Sequence, residues 1–210
     1  MTTYIIQQVA RRLHSLLIIF AVGVGVNFSM AGQAMAATQA QISKKNEISG
    51  VQISQATEIN NWVVVNDTVM GGRSQANIIF ADDHMQFLGN LSMRNNGGFA
   101  SIRRIYEPVN WQANKTMQIV VRGDGRNYQF RLRTNRYMDG VAYVKAFSTV
   151  KGEWQTITFT EKDFTAQFRG RLIRNAKDLT FPDITQLGFV LADGQPGGFE
   201  LHVKEISQLD

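Results

Sequence analysis

The chain has no cysteine among its 210 residues. Disulfides, thiol nucleophiles and cysteine metal sites are therefore excluded, and no thiol can carry a lipid. Proline is scarce: the three, Pro108, Pro182 and Pro196, all fall between candidate strands. Histidine is equally scarce, and neither His84 nor His202 stands in a metal-ligand spacing. His202 alternates out of phase with the apolar Phe199, Leu201 and Val203, which predicts an exposed ring. No Gly-x-Ser-x-Gly nucleophile motif occurs. The sequence thus presents no catalytic residue, no metal set and no cofactor site, and is read as a non-enzyme. Asp82-Asp83 is read as a turn, with loop calcium as the weaker alternative.

Long apolar runs are also missing. The one apolar run near the start, LLIIFAVGVGV at residues 16–26, falls short of the about 20 residues that span a bilayer. It follows Arg11 and Arg12 and precedes Ala34-Met35-Ala36. A basic start, a short apolar stretch and an A-x-A ending predict a signal peptide over 1–36, cleaved after Ala36. The expected location is exported: the periplasm or an equivalent extracytoplasmic compartment. Residues 37–57 are small and polar and are read as a linker or a loosely held first strand. The domain proper is placed at 58–210, long enough for one core.

What fills that domain is β-sequence. Ten short runs rich in Val, Ile, Phe and Tyr alternate with Gly, Asn and Asp clusters. They lie at 62–65, 76–80, 84–89, 99–106, 116–122, 127–133, 141–148, 154–159, 186–192 and 199–206. Their number and spacing predict an all-β sandwich or jelly roll. Residues 164–179 are less regular and are read as a short helix or a long loop.

The charge is unevenly placed. Residues 94–136 carry nine basic and two acidic side chains, whereas 37–93 and 137–210 are each net −2. A basic island of this kind points to an acidic partner surface or another anion. At its centre stands VVRGDGRNYQFRLRTNR, residues 120–136. Asp124-Gly125 between two alternating runs predicts a two-residue hairpin turn. That register puts Met117, Ile119, Val121, Tyr128, Phe130 and Leu132 on a core face. It puts Arg122, Gln129, Arg131 and Arg133 together on the other face. Adhesion through Arg-Gly-Asp is discounted because the tripeptide is common by chance. A phosphate cradle is discounted because the loop leads into a strand rather than a helix N-terminus. Neighbouring guanidinium groups repel unless an anion or carboxylate satisfies them, so the face is read as a partner-binding surface.

Five pieces, in order, resemble the complex I intermediate-associated protein family, of the NADH:ubiquinone oxidoreductase assembly factor 1 type. They are Trp62 with Asn66-Asp67, Val69-Met70-Gly71-Gly72 and Ser74; FLGNLS and NGGFAS at 87–92 and 96–101; Arg122 to Tyr128, with Asp124, Gly125 and Arg126; WQTITF at 154–159; and ITQLGF with GGFEL at 184–189 and 197–201. The resemblance implies a galactose-binding-like β-sandwich and a non-catalytic role in assembling a membrane complex. The residues themselves cast 67–74 as a loop in which Asp67 and Ser74 cap backbone amides and Gly71 and Gly72 allow close approach, or as a ligand-contacting rim.

The function expected is an exported protein-binding assembly or scaffold factor using the arginine face. The alternative is a carbohydrate-binding module of the cell envelope. It needs an exposed aromatic platform, for which Trp111 is the best candidate, with Trp62 and Trp154 expected in the core. Nucleic acid is not an expected partner, because the basic stretch lacks a stacking row.

Overall fold

The computed structural model describes residues 50–106 and 108–209; the expected signal peptide and residues 37–49 of the linker lie outside them. Thirteen strands are present among the described residues: β1 Gly50–Val51, β2 Trp62–Val64, β3 Gln75–Ala81, β4 His84–Leu91, β5 Ala100–Arg104, β6 Thr116–Gly123, β7 Asn127–Arg133, β8 Ala142–Ser148, β9 Trp154–Phe159, β10 Thr165–Phe168, β11 Arg171–Leu172, β12 Gln186–Leu191 and β13 Gly197–Leu209. One antiparallel sheet runs β3-β4-β13-β6-β9, with β1 added alongside β13. The other runs β11-β10-β8-β7-β12-β5-β2. The chain is a β-sandwich, with every one of the ten expected strands in place.

Three strands lie outside those ten, and the first, β1, falls in the stretch read as a linker or a loosely held first strand. β1 pairs Gly50 with Ser207 and Val51 with Ile206, and Val51 and Ile53 are buried in the core. The domain therefore starts near residue 50, not 58, because two apolar side chains in a polar stretch are enough to seat it on β13. In the irregular segment, β10 and β11 form a hairpin around Arg169-Gly170, both at positive φ (48° and 77°). Asp82 and Asp83 have φ of 52° and 60° and close the β3–β4 hairpin. Those left-handed values suit the two-residue turn that matches strand twist.

The faces between the sheets are aromatic. Phe130 meets Phe159 with ring centroids 5.6 Å apart and Phe189 at 5.2 Å, and Trp62 stacks on Phe189. Burying each such ring stabilises the fold by about 1.5–3 kcal/mol relative to exposure.

One expectation fails in an informative way. β6 and β7 do not pair. β6 lies between β13 and β9, while β7 lies between β8 and β12 in the opposite sheet. Met117, Ile119, Val121, Tyr128, Phe130 and Leu132 are all fully buried, as alternation predicts. They meet across the sandwich instead of lying side by side on one sheet. Alternation reports which face is apolar, not which sheet a strand joins.

The residues between these strands hold the chain in this arch. Asp124 accepts hydrogen bonds from the Arg126 amide (3.1 Å), the Tyr128 hydroxyl (3.1 Å) and the Glu200 amide (3.0 Å). Burial and then the Asp124 charge push the Tyr128 hydroxyl above its ordinary range, so it stays a donor. Gly125 donates its amide to Thr149 Oγ1 (3.1 Å). Arg126 grips Asp193 with two bonds, Nε to Oδ2 at 2.9 Å and Nη2 to Oδ1 at 2.7 Å. It also donates to the carbonyls of Gln195 and Gly198, so one side chain ties the arch to the β12–β13 connection. The side chains of this pair are 11% and 4% exposed.

Removing one partner of a buried, bidentate pair strands the other charge. Arg126→Ala and Asp193→Ala are each expected to lower stability by about 3–5 kcal/mol, read as a shift in urea midpoint at unchanged slope. Arg169→Ala, at an exposed ion pair with Asp139, is expected to cost less than about 1 kcal/mol.

Candidate functional site

Splitting β6 from β7 splits the expected arginine face. Arg122 stands on the outer face of the six-stranded sheet. Its Nη2 donates to His202 Nδ1 (3.0 Å), and its guanidinium lies 5.0 Å from the ring centre of Trp154. Gln129, Arg131 and Arg133 stand on the outer face of the other sheet, on the far side of the sandwich. The four residues therefore do not form one surface.

The place of Arg122 is taken by Arg103 of β5. Register puts Gly188 of β12 directly between Arg131 of β7 and Arg103 of β5. Arg133 lies one alternation further along, opposite Gln186. The Arg103–Arg131–Arg133 cluster lines a groove of about 930 Å³ across the seven-stranded sheet. Its rim includes Val69, Met70, Met138 and Asp139.

The three guanidinium groups are held by neutral acceptors. Arg131 donates twice to Gln129 Oε1 (3.0 and 2.6 Å), Arg103 to the Met138 carbonyl (2.7 Å), and Arg133 to the Gly140 carbonyl (2.7 Å). Among the described residues no carboxylate lies within ion-pair distance of any of them. Burial, then the neighbouring Arg133 and Arg131 charges, lower Arg103 to about 10; burial and then Arg133 lower Arg131 to about 10. All three remain cationic at neutral pH, in mutual repulsion. Asp139 offsets part of this for Arg103 and Arg133, but its carboxylate is engaged by Arg169 at 2.6 Å. Beneath the cluster, Gln186 donates to the Asn135 and Tyr137 carbonyls (2.9 and 3.2 Å), and its buried Oε1 has no partner.

The rim loop rests on a buried carboxylate. Asp67 is fully buried. Its Oδ1 accepts from the Ser74 amide (2.9 Å), and its Oδ2 from the Ser74 hydroxyl (2.5 Å), the Gly98 amide (2.7 Å) and the Phe99 amide (3.3 Å). The glycines around it leave it room. A Cβ at Gly72 would sit 2.4 Å from the Asp67 carboxyl, and one at Gly97 2.6 Å from Oδ2. Gly71 ends the 3-10 turn Asp67–Met70 at φ 88°, a value that favours glycine. Asp67, Gly71, Gly72 and Ser74 thus act as scaffold, as their capping reading implies. Val69 and Met70, 71% and 65% exposed, are what the loop presents to the groove.

Trp62 lies in the core as expected, but the expectations for the other two tryptophans reverse. Trp111 is buried, at 3% exposure, while Trp154 is 40% exposed on the outer face of the six-stranded sheet. Pro108 and polar neighbours made Trp111 look like a loop residue, but its own connection folds over the core. Trp154 is flanked by Arg122 and Lys204 and meets His84 and His202 edge-on. His202 is buried as well, at 7% exposure, contrary to expectation: it contacts His84 Nε2 (2.6 Å) and bonds Glu200. No group of three His, Asp or Glu suited to a metal occurs among the described residues.

Sequence reasoning missed Arg103, Gly188 and Gln186. Arg103 was legible: Ala100 and Ile102 are core residues, so Ser101 and Arg103 must face out. Gly188 and Gln186 carry meaning only once β12 is known to lie between β7 and β5.

Burial alone would raise the Asp67 pKa; the Ser74 hydroxyl and the Gly98, Ser74 and Phe99 amides outweigh it and hold it below the carboxylate value of 3.8. A depressed carboxylate contributes stability that is present above the unfolded pKa and lost as pH falls through the folded one. Asp67→Asn, which turns a donor amide toward donors, is expected to cost about 3 kcal/mol at pH 7. The deficit against wild type should shrink below pH 3.8, as urea midpoints at stepped pH will show.

Comparison with known proteins fits this architecture. The sequence model of the complex I intermediate-associated protein 30 family matches residues 51–203. The mitochondrial complex I intermediate-associated protein 30 of Mus musculus is 25% identical over 173 residues, 72% of this chain and 53% of that protein. The chain thus spans about half the length of that curated relative. Among solved structures, the family 11 carbohydrate-binding module from Clostridium thermocellum, in complex with a β-1,3-1,4-mixed-linked tetrasaccharide, superposes with a TM-score of 0.51 at 16% identity, covering 71% of this chain and 88% of the module. The family 11 module of the cellulase Lic26A-Cel5E gives the same TM-score and coverage at 15% identity. These likenesses concern the fold. The match over most of the domain shows that the chain belongs to the complex I intermediate-associated protein 30 family.

Proposed function

We propose that the chain is a non-catalytic protein-binding module, an exported assembly or scaffold factor for a membrane protein complex, and that the groove over the seven-stranded sheet is its docking surface. The observation that carries this is the set of three arginines that have no carboxylate partner among the described residues and line an open groove. Cations left in mutual repulsion in the free protein favour any partner that brings negative charge. Family membership supports an assembly role, and complex I is the complex that the relative's name points to. Export is supported by the basic, apolar and A-x-A pattern over residues 1–36.

The alternative, a glycan-binding module, has one observation in its favour, the exposed Trp154. Its flanks are occupied by Arg122 and Lys204, and among the described residues the groove has Phe99 but no Trp or Tyr in its lining. The protein-binding reading is therefore preferred.

The test is deletion of the gene followed by native electrophoresis of detergent-extracted membranes. A respiratory or other membrane complex is expected to stall as a smaller intermediate. The wild-type chain should restore it, and the Arg103→Glu/Arg131→Glu chain should not. Full assembly without the protein would overturn the assembly role. In intact cells with a permeabilised outer layer, added protease is expected to reach a C-terminal tag; protection would overturn export.

A further inference from the structure

Arg103 and Arg131 face each other across a residue with no side chain. Adjacent strands are about 4.8 Å apart, so their backbones are about 10 Å apart across Gly188. No larger residue fits there, because a Cβ at Gly188 would lie 2.2 Å from the Ile102 carbonyl oxygen. The floor between the two guanidinium groups is bare backbone. Each group is held on one side by a neutral acceptor, Met138 O or Gln129 Oε1, and an arginine has five donors to place. This is the arrangement that a carboxylate satisfies with bidentate, charge-assisted bonds.

One more feature describes what carries the carboxylate. The rim is aliphatic and sulfur-bearing: Val64, Val69, Met70 and Met138 are 38%, 71%, 65% and 50% exposed. Methionine repacks readily around irregular apolar side chains, and Phe99 is the one ring in the lining among the described residues.

We infer that the groove recognises an extended acidic peptide segment, with one Asp or Glu carboxylate seated between Arg103 and Arg131 above Gly188 and apolar side chains on the Val69–Met70 and Met138 rim. The inference rests on the protein-binding reading and specifies its partner's chemistry. Arg133, one alternation along β7, forms the second contact along the segment.

The test uses the full chain and three probes in fluorescence anisotropy: a labelled nonapeptide alternating glutamate with valine and methionine, the same peptide with glutamine for glutamate, and labelled trigalacturonate. The glutamate peptide is expected to bind at least tenfold more tightly than the glutamine peptide, a comparison that needs no variant. Arg103→Gln and Arg131→Gln are each expected to weaken it tenfold or more at unchanged melting temperature. Arg122→Gln, on the opposite sheet, should leave it unchanged. Equal binding of the two peptides, or insensitivity to both groove substitutions, would overturn the inference. Binding of trigalacturonate without the acidic peptide would overturn it in favour of a glycan. Because no membrane complex is involved, carboxylate recognition can fail while the assembly role stands, and the reverse.

Discussion

The arrangement of this domain depends on the chain changing sheets between Gly123 and Asn127. The strands on either side have the same alternation and an Asp-Gly between them, and locally nothing distinguishes an arch from a hairpin. The decision is made by contacts distant in sequence. Arg126 reaches the Asp193 carboxylate and the carbonyls beyond it, and Asp124 receives the amide of Glu200. With the arch in place, the two apolar faces close on each other, Arg122 goes to one outer surface, and Arg131 and Arg133 go to the other.

That assignment accounts for the electrostatics. Arg126 is a structural cation, and its pKa is raised by the hydrogen bonds to Asp193. Arg104, from the same strand as Arg103, turns toward the other side and pairs with Glu58 at 2.6 Å. Arg103, Arg131 and Arg133 are left without carboxylates among the described residues. A fold that satisfies Arg104 and Arg126 with acids and leaves Arg103, Arg131 and Arg133 to neutral acceptors does not lack acidic residues. The one acidic residue in the groove lining among the described residues, Asp139, is engaged by Arg169, as expected of a site whose counter-charge arrives with a partner.

The glycine-rich motifs have a structural cause. Gly72 and the pair Gly97-Gly98 lie 25 or more residues apart in sequence but meet around the Asp67 carboxyl group. They let two loops approach one buried charge closely enough to bond it with backbone amides. The benefit to function is indirect: the tether fixes the loop that holds Val69 and Met70 at the edge of the groove.

The sequence by itself determined the β class, the ten principal strands, the alternation that separates core from surface, and the roles of Asp67 and Ser74 as caps. Each of these follows from local pattern or from contacts within a short loop. Only the tertiary structure decided which sheet a strand joins, and with it that Arg122 leaves the arginine cluster and Arg103 enters it. It also decided that Trp111 is covered and Trp154 is not, and that His202 is buried against His84. Period-two alternation defines two faces per strand, whereas strand order depends on pairings between residues as distant as Arg131 and Gly188 or Arg122 and His202. Those pairings are selected by the packing of the whole core, and no local stretch of sequence carries them.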